Sequence, residues 1–167
     1  MGQSKQVVVR DNRAEYNVAG IEVENTIGAD VYNNIANNNT GGILVFNMPS
    51  IPQRGYATRV FDNEIHSNNT ENFAIPGTAV SGVPAGSGVV INSNDQVEVF
   101  NNHFSNNNTA NIVISSYFSA NFAGQRELAA EFDPYPEEIL IYDNTFEGGG
   151  TQPGLNYLTA VSYTHLT

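Results

Sequence analysis

The sequence predicts an all-β protein, a right-handed parallel β-helix of about five turns with three loop insertions. Two observations lead to this prediction: a short motif recurs five times, and 24 of the 167 residues are asparagine. The motif is an apolar–x–apolar pair, then a mostly aromatic position, then Asp or Asn, then Asn. Its second apolar residue serves as an anchor, and the anchors are Val9, Val31, Val60, Val99 and Ile141. They are 22, 29, 39 and 42 residues apart, so the shortest spacing defines the bare repeat and the others contain insertions.

Apolar residues alternate with period two around each anchor, which predicts strands, because a helix would space them three and four apart. Equivalent residues recur in the same order in every copy. This favours turns stacked in parallel about 4.8 Å apart over hairpins. The variable spacing disfavours a left-handed hexapeptide coil, which needs turns of fixed length. In the second copy we expect a one-residue deletion that brings Ile35 into the inward position five residues after the anchor.

Asparagine columns predict two bends in each turn. Asn tolerates the left-handed backbone of a tight bend, and stacked Asn amides can hydrogen-bond along the axis of a coil. The Asn-rich stretches 37–39, 68–69 and 106–108 predict the second bend. The first bend is predicted from a column formed by Asn12, Asn34, Asn63, Asn102 and Asn144.

The residues on either side of each anchor are expected to point outward. Before the anchors, Asp30, Arg59 and Glu98 would alternate in charge along one column. After the anchors comes an aromatic column, which could seal the coil structurally or serve as a platform for sugar rings. Its members are Tyr32, Phe61, Phe100 and Tyr142.

Three insertions, residues 47–57, 71–87 and 115–138, interrupt the repeat. Loops on a rigid scaffold commonly carry binding residues. The first and third insertions follow the same strand of the repeat, so we expect them to wall a groove along the coil that suits a linear polymer. Arginine can neutralise a uronate carboxylate. The candidate substrate-binding residues are therefore the aromatic column together with Arg54, Arg59 and Arg126.

Candidates for proton transfer are few. Glu64 and His103 each lie four residues after an anchor, so they should be neighbours in adjacent turns, and His66 is close in sequence. A carboxylate beside an imidazole can act in general acid–base catalysis, although such a pair on a solvated bend is commonly only a surface contact. Calcium is the one cofactor considered, through Asp62, Glu64 and Asp95, and no spacing motif supports it.

The charge balance excludes several functions. Six basic and 17 acidic residues give a net charge of −11, which argues against nucleic acid as a partner and against strong attraction to polyanions. No segment reaches the roughly 20 apolar residues of a membrane span. The chain has no Cys, which excludes disulfides and thiol zinc sites.

The stretches NNTGGILVF and NFAIPGTAVSGVPAGSG carry a family resemblance. Over residues 7–150 the chain resembles exported bacterial proteins built of parallel β-helix (PbH1) repeats, which are related to the pectin-lyase-like polysaccharide lyases and uronan epimerases. The resemblance implies a periplasmic or extracellular location. The catalytic bases and calcium aspartates of the lyases have no counterpart here. Residues 1–155 are predicted to be part of a longer solenoid, and residues 156–167 resemble a non-native tail.

Two functions remain open at this stage. The first is polysaccharide binding or modification in the groove between residues 47–57 and 115–138. The second is a non-catalytic exported scaffold that binds a protein partner. A fold of this kind does not choose between them, and whether the protein is an enzyme also stays open.

Overall fold

The computed structural model describes residues 2–119, 128 and 131–154, and it confirms the predicted parallel β-helix. Within these residues fourteen strands form three parallel sheets, and each of the first four turns adds one strand to each sheet in succession. In chain order the strands are β1 (Lys5–Arg10), β2 (Arg13–Glu15), β3 (Ala19–Glu24), β4 (Ile27–Tyr32), β5 (Ile35–Asn37), β6 (Gly41–Phe46), β7 (Tyr56–Phe61), β8 (Glu64–His66), β9 (Ser87–Asn92), β10 (Asp95–Phe100), β11 (His103–Ser105), β12 (Ala110–Ser115), β13 (Leu140–Tyr142) and β14 (Thr145–Glu147).

The first sheet has the order β1-β4-β7-β10-β13, the second β14-β11-β8-β5-β2, and the third β12-β9-β6-β3. In the first sheet all five anchors lie side by side in register, as the repeat predicts. Anchors of the three middle turns are completely buried, and they meet Ile43, Ile65 and Phe104 from the other two sheets in one core. The period-two pattern therefore sets which side of every sheet faces inward.

The expected deletion before Ile35 is wrong. Ala36 lies between Ala14 and Ile65 in register and is fully buried, whereas Ile35 lies beside Glu64 on the outer side of the second sheet. The shorter turn loses its residue at the second bend instead. One residue separates Asn39 from β6, and two separate the equivalent Asn107 from β12.

Both Asn columns form hydrogen-bonded ladders along the axis. In the first ladder each amide Nδ2 donates to the Oδ1 of the next turn, at distances of 2.9, 3.0, 2.9 and 3.0 Å from Asn12 to Asn144. In the second ladder Asn17 donates to Asn39, Asn39 to Asn68 and Asn68 to Asn107, at 3.3, 3.0 and 3.1 Å. The left-handed backbone falls on the residue before each Asn of the first ladder, with φ between 52° and 59°. The ladder amides then bind the carbonyl groups that the bend leaves unpaired.

Insertions cover the outer side of the third sheet. Leu44 and Val90 point outward there and are nevertheless buried, because Met48 from the first insertion and Val83 from the second pack over them. The second insertion also contains a short 3-10 helix, Ala79–Gly82. Across the described part of the chain, no helix combines the length and apolar character needed to cross a bilayer.

Candidate functional site

The aromatic column forms a continuous stack on the outer side of the first sheet. Ring centroids are 4.8, 4.9 and 5.0 Å apart from Tyr32 through Phe61 and Phe100 to Tyr142, with interplanar angles of 11°, 3° and 2°. Each ring covers the face of its neighbour, so the inner rings offer solvent their edges alone. A sugar ring needs an open aromatic face, and the stack therefore favours the structural interpretation.

Charged residues next to this stack are already paired. Arg59 makes a bidentate contact with Asp30, from Nε to Oδ1 at 2.8 Å and from Nη2 to Oδ2 at 2.7 Å. This hydrogen bonding raises the pKa of the Arg59 guanidinium, which also lies 5.7 Å from the centre of the Phe61 ring. The Tyr142 hydroxyl donates to Glu98 at 2.9 Å. The pKa of Tyr142 is raised, chiefly by partial desolvation and secondly by this hydrogen bond.

A shallow groove of about 630 Å³ lies on the outer side of the first sheet. Its lining comes from three successive turns, so the groove follows the axis of the coil. This volume falls within the range of small-molecule sites, roughly 300–1,000 Å³. The lining residues are Ala57, Arg59, Gln96, Glu98, Glu138 and Leu140.

Three of the groove-lining residues have a left-handed backbone, and each lies three positions before an anchor. Ala57, Gln96 and Glu138 have φ of 59°, 54° and 55°, and Gln6 and Gly28 take the same conformation in the first two turns. Of this column, Gly28 is the one residue type that commonly signals positive φ. The other members are Gln, Ala or Glu, which do not signal this backbone conformation, so Gln96 and Glu138 were not predicted as site residues. Glu98 was predicted only as part of the charge column, and Arg59 alone was a predicted binding residue.

The first and third insertions lie together, but the space between them is small. Arg54 of the first insertion joins them through an ion pair with Asp133 of the third insertion at 3.0 Å, and it also pairs with Asp95 of β10. The cavity beside Arg54 has a volume of about 110 Å³, which is below the usual range for a ligand site. Arg54 therefore acts as a structural cross-link between the loops. Arg126, the remaining candidate from the third insertion, lies outside the described residues.

An exposed aromatic pair stands at the base of the third insertion. Phe118 and Tyr135 are 64% and 55% exposed, and their ring centroids are 6.1 Å apart at an angle of 57°. Tyr117 is buried beneath them, and its N–H donates to the Pro134 carbonyl at 2.8 Å. Unlike the stacked column, this pair leaves ring faces open. Tyr135 lies three residues before Glu138 of the groove.

The proton-transfer candidates lie on another face. Glu64 and His103 are neighbours in register, as predicted, on the outer side of the second sheet. His103 Nε2 is 3.3 Å from Glu147, whereas the Nδ1 of His66 is 3.5 Å from the Ser67 hydroxyl. The side chains of Glu64 and His103 are solvent-exposed and lie outside the groove, so the geometry gives them no enclosed reaction site.

The three residues considered for calcium binding lie on different elements and make different contacts. Asp95 is ion-paired with Arg54, Asp62 is at the first bend, and Glu64 belongs to the second sheet. Among the residues that the structure describes, no group of three or more His, Cys, Asp or Glu side chains is arranged to hold a metal ion.

The fold and the groove together define a β-helix repeat protein whose first sheet carries an open groove on its outer side. Comparisons with protein-family models, curated proteins and solved structures give no match for this chain. Membership of the exported PbH1-repeat family therefore stays a prediction.

Proposed function

We propose that this protein is a carbohydrate-binding β-helix module without catalytic activity, and that an extended polysaccharide lies in the groove on the first sheet. The observation that carries this proposal is the groove itself, about 630 Å³ in volume and lined by three successive turns. A linear polymer can repeat its contacts from turn to turn of a solenoid.

The groove has the mixed chemistry that sugars require. Gln96 and Glu98 offer amide and carboxylate groups to sugar hydroxyls, and Ala57 and Leu140 supply small apolar patches. Outside the groove lining, the exposed rings of Phe118 and Tyr135 offer a further surface on which a sugar ring can stack. The resemblance to exported β-helix proteins supports a periplasmic or extracellular location for this module.

Catalysis is left out of the proposal because the acid–base candidates are on a different sheet. Glu64, His66 and His103 line the exposed second sheet, and the groove contains no histidine among its described residues. A lyase or epimerase version predicts turnover of a uronate polymer. Ultraviolet absorbance of unsaturated products and NMR of the sugar ring would detect it, and either signal would require a catalytic role.

The binding proposal can be tested with matched variants in affinity electrophoresis against a panel of soluble polysaccharides. Replacing Gln96 and Glu98 by Ala removes two polar partners of about 1 kcal/mol each, so we expect Kd to rise roughly 30-fold. The control variant carries Glu64→Ala and His66→Ala on the second sheet and should bind as the unmodified protein does. Equal loss in both variants, or no binding by the unmodified chain, would contradict the proposal.

A protein partner is the second candidate, and one observation favours it. Phe73 and Ile75 of the second insertion are 62% and 75% exposed, although both are large and apolar. Adjacent exposed apolar side chains are typical of contact surfaces. A photo-crosslinking residue at Ile75 should then yield one discrete adduct in the native cell, and the same residue at exposed Val8 should not. Absence of any adduct at Ile75 would remove this candidate.

A further inference from the structure

We infer that the bound polysaccharide is uncharged, which rests on the proposed function and names its ligand class. The sequence suggested that arginines might neutralise a uronate. In the structure those arginines are already neutralised by the protein's own carboxylates, and the groove presents both signs of charge to any ionic ligand.

Every arginine among the described residues has a carboxylate partner. Arg59 Nη2 lies 2.7 Å from Asp30 Oδ2. Arg54 is held by two carboxylates at once. The complete set of pairs is Arg10 with Asp11, Arg13 with Glu15, Arg54 with Asp95 and Asp133, and Arg59 with Asp30. A uronate could reach the remaining N–H groups of such a guanidinium, but it would gain little net charge attraction unless it displaced the carboxylate that already offsets the positive charge.

Displacement at the groove is costly because of geometry. Arg59 uses both Nε and Nη2 in its contact with Asp30, and this bidentate form is the strong arrangement for such a pair. Moving Arg59 to a ligand would leave Asp30 without its partner. A bound uronate would also face the carboxylates of Glu98 and Glu138, which line the same groove. Like charges placed together reject a ligand more strongly than missing contacts do.

A cationic sugar gains less from its charge than the two carboxylates alone would allow. Its ammonium group would lie beside the Arg59 guanidinium, which offsets part of the attraction to Glu98 and Glu138. What the groove offers without rearrangement is Gln96 together with spare carboxylate lone pairs, and these suit hydroxyl groups. A neutral glycan thus satisfies the groove at no cost in broken ion pairs.

The test compares three probes at low ionic strength: soluble cello-oligosaccharides, oligogalacturonates and chitosan oligosaccharides of equal length. We expect the neutral oligosaccharides to bind at least tenfold more tightly than either charged series. Tighter or equal binding of oligogalacturonate or of chitosan would overturn the inference and leave glycan binding intact. Failure of all three probes, followed by failure of a wider neutral panel, would overturn the proposed function as well.

A variant tests the reason for this selectivity. Asp30→Asn releases Arg59 from its ion pair, so oligogalacturonate affinity should rise about tenfold while affinity for the neutral probe stays unchanged. Asp11→Asn is the control, since it releases Arg10 on the first turn, away from the groove lining. An equal gain in both variants would show a general charge effect. That result, or no gain with Asp30→Asn, would overturn the inference.

Discussion

The first and third sheets carry similar residues on their inner sides and different residues on their outer sides. Inward, both contribute fully buried aliphatic residues to one core. Outward, the first sheet carries Asp30, Arg59 and Glu98 in neighbouring turns, whereas the third sheet carries Leu44 and Val90 under a layer of loops. The repeat therefore fixes the interior, and the insertions decide which outer faces remain accessible.

This difference between the outer sides explains why the groove on the first sheet stays uncovered. The first and second insertions pack Met48, Ile51, Val80 and Val83 over the third sheet, where an apolar outer column needs cover. The first sheet has a charged outer column, which is stable in water. Its outer side is left open, and three successive turns line the groove there.

The largest effect on stability should come from breaking one of the Asn ladders inside the coil. Asn63→Ala removes the acceptor of the buried Asn34 backbone N–H and the donor to the Val31 and Phe61 carbonyls. Each unsatisfied group costs about 1–3 kcal/mol, so we expect a loss of about 4 kcal/mol in the free energy of unfolding. Chemical denaturation followed by circular dichroism measures it. Asn12→Ala, at the exposed end of the same ladder, should cost less than about 1 kcal/mol, and equal losses would contradict a cooperative ladder.

A second substitution pair compares the two outer faces directly. Leu44→Ala removes a fully buried side chain beneath the loops and should cost about 3 kcal/mol, within the usual range for such cavities. Leu140→Ala changes the outer side of the first sheet, where Leu140 is 57% exposed, and should stay within about 0.5 kcal/mol. Urea denaturation of both variants gives the comparison. Similar midpoints would mean that the loops do not seal the third sheet.

The smallest expected effect depends on pH. Glu22 lies beside Leu44 on the third sheet, and burial raises the pKa of its carboxyl group. The folded state then holds the Glu22 proton more tightly than the unfolded chain. Its contribution to stability is complete below the usual Glu range, near pH 4, and is lost as the pH rises through the raised pKa. Glu22→Gln should therefore stabilise the protein slightly at neutral pH and lose that advantage at acidic pH. Thermal unfolding across this pH range would show it, and a pH-independent difference would contradict it.

The interior was predictable because the same amino-acid types repeat there from turn to turn. Anchors such as Val60 and ladder residues such as Asn63 recur in type as well as in position, since each must match its copy above and below. The error at Ile35 arose because an apolar residue was preferred over Ala36, although strand alternation requires Ala36 inward.

The site was less predictable because its residues do not repeat in type. Ala57, Gln96 and Glu138 share a backbone conformation and no side-chain chemistry, so no column revealed them. Arg54 was predicted to bind substrate, but its two carboxylate partners come from distant parts of the chain. Contacts between insertions follow no period, and sequence spacing gives no information about them.

The ladders also describe how a protein of this kind can lengthen. Within the first ladder, Asn34 and Asn63 each donate to the next turn and accept from the previous one. The chemistry at the top of a turn thus matches that at the bottom, and a duplicated segment of one bare repeat would join without new contacts having to arise. Each turn contacts only its neighbours, so adding a turn of this kind leaves the interfaces of the other turns unchanged.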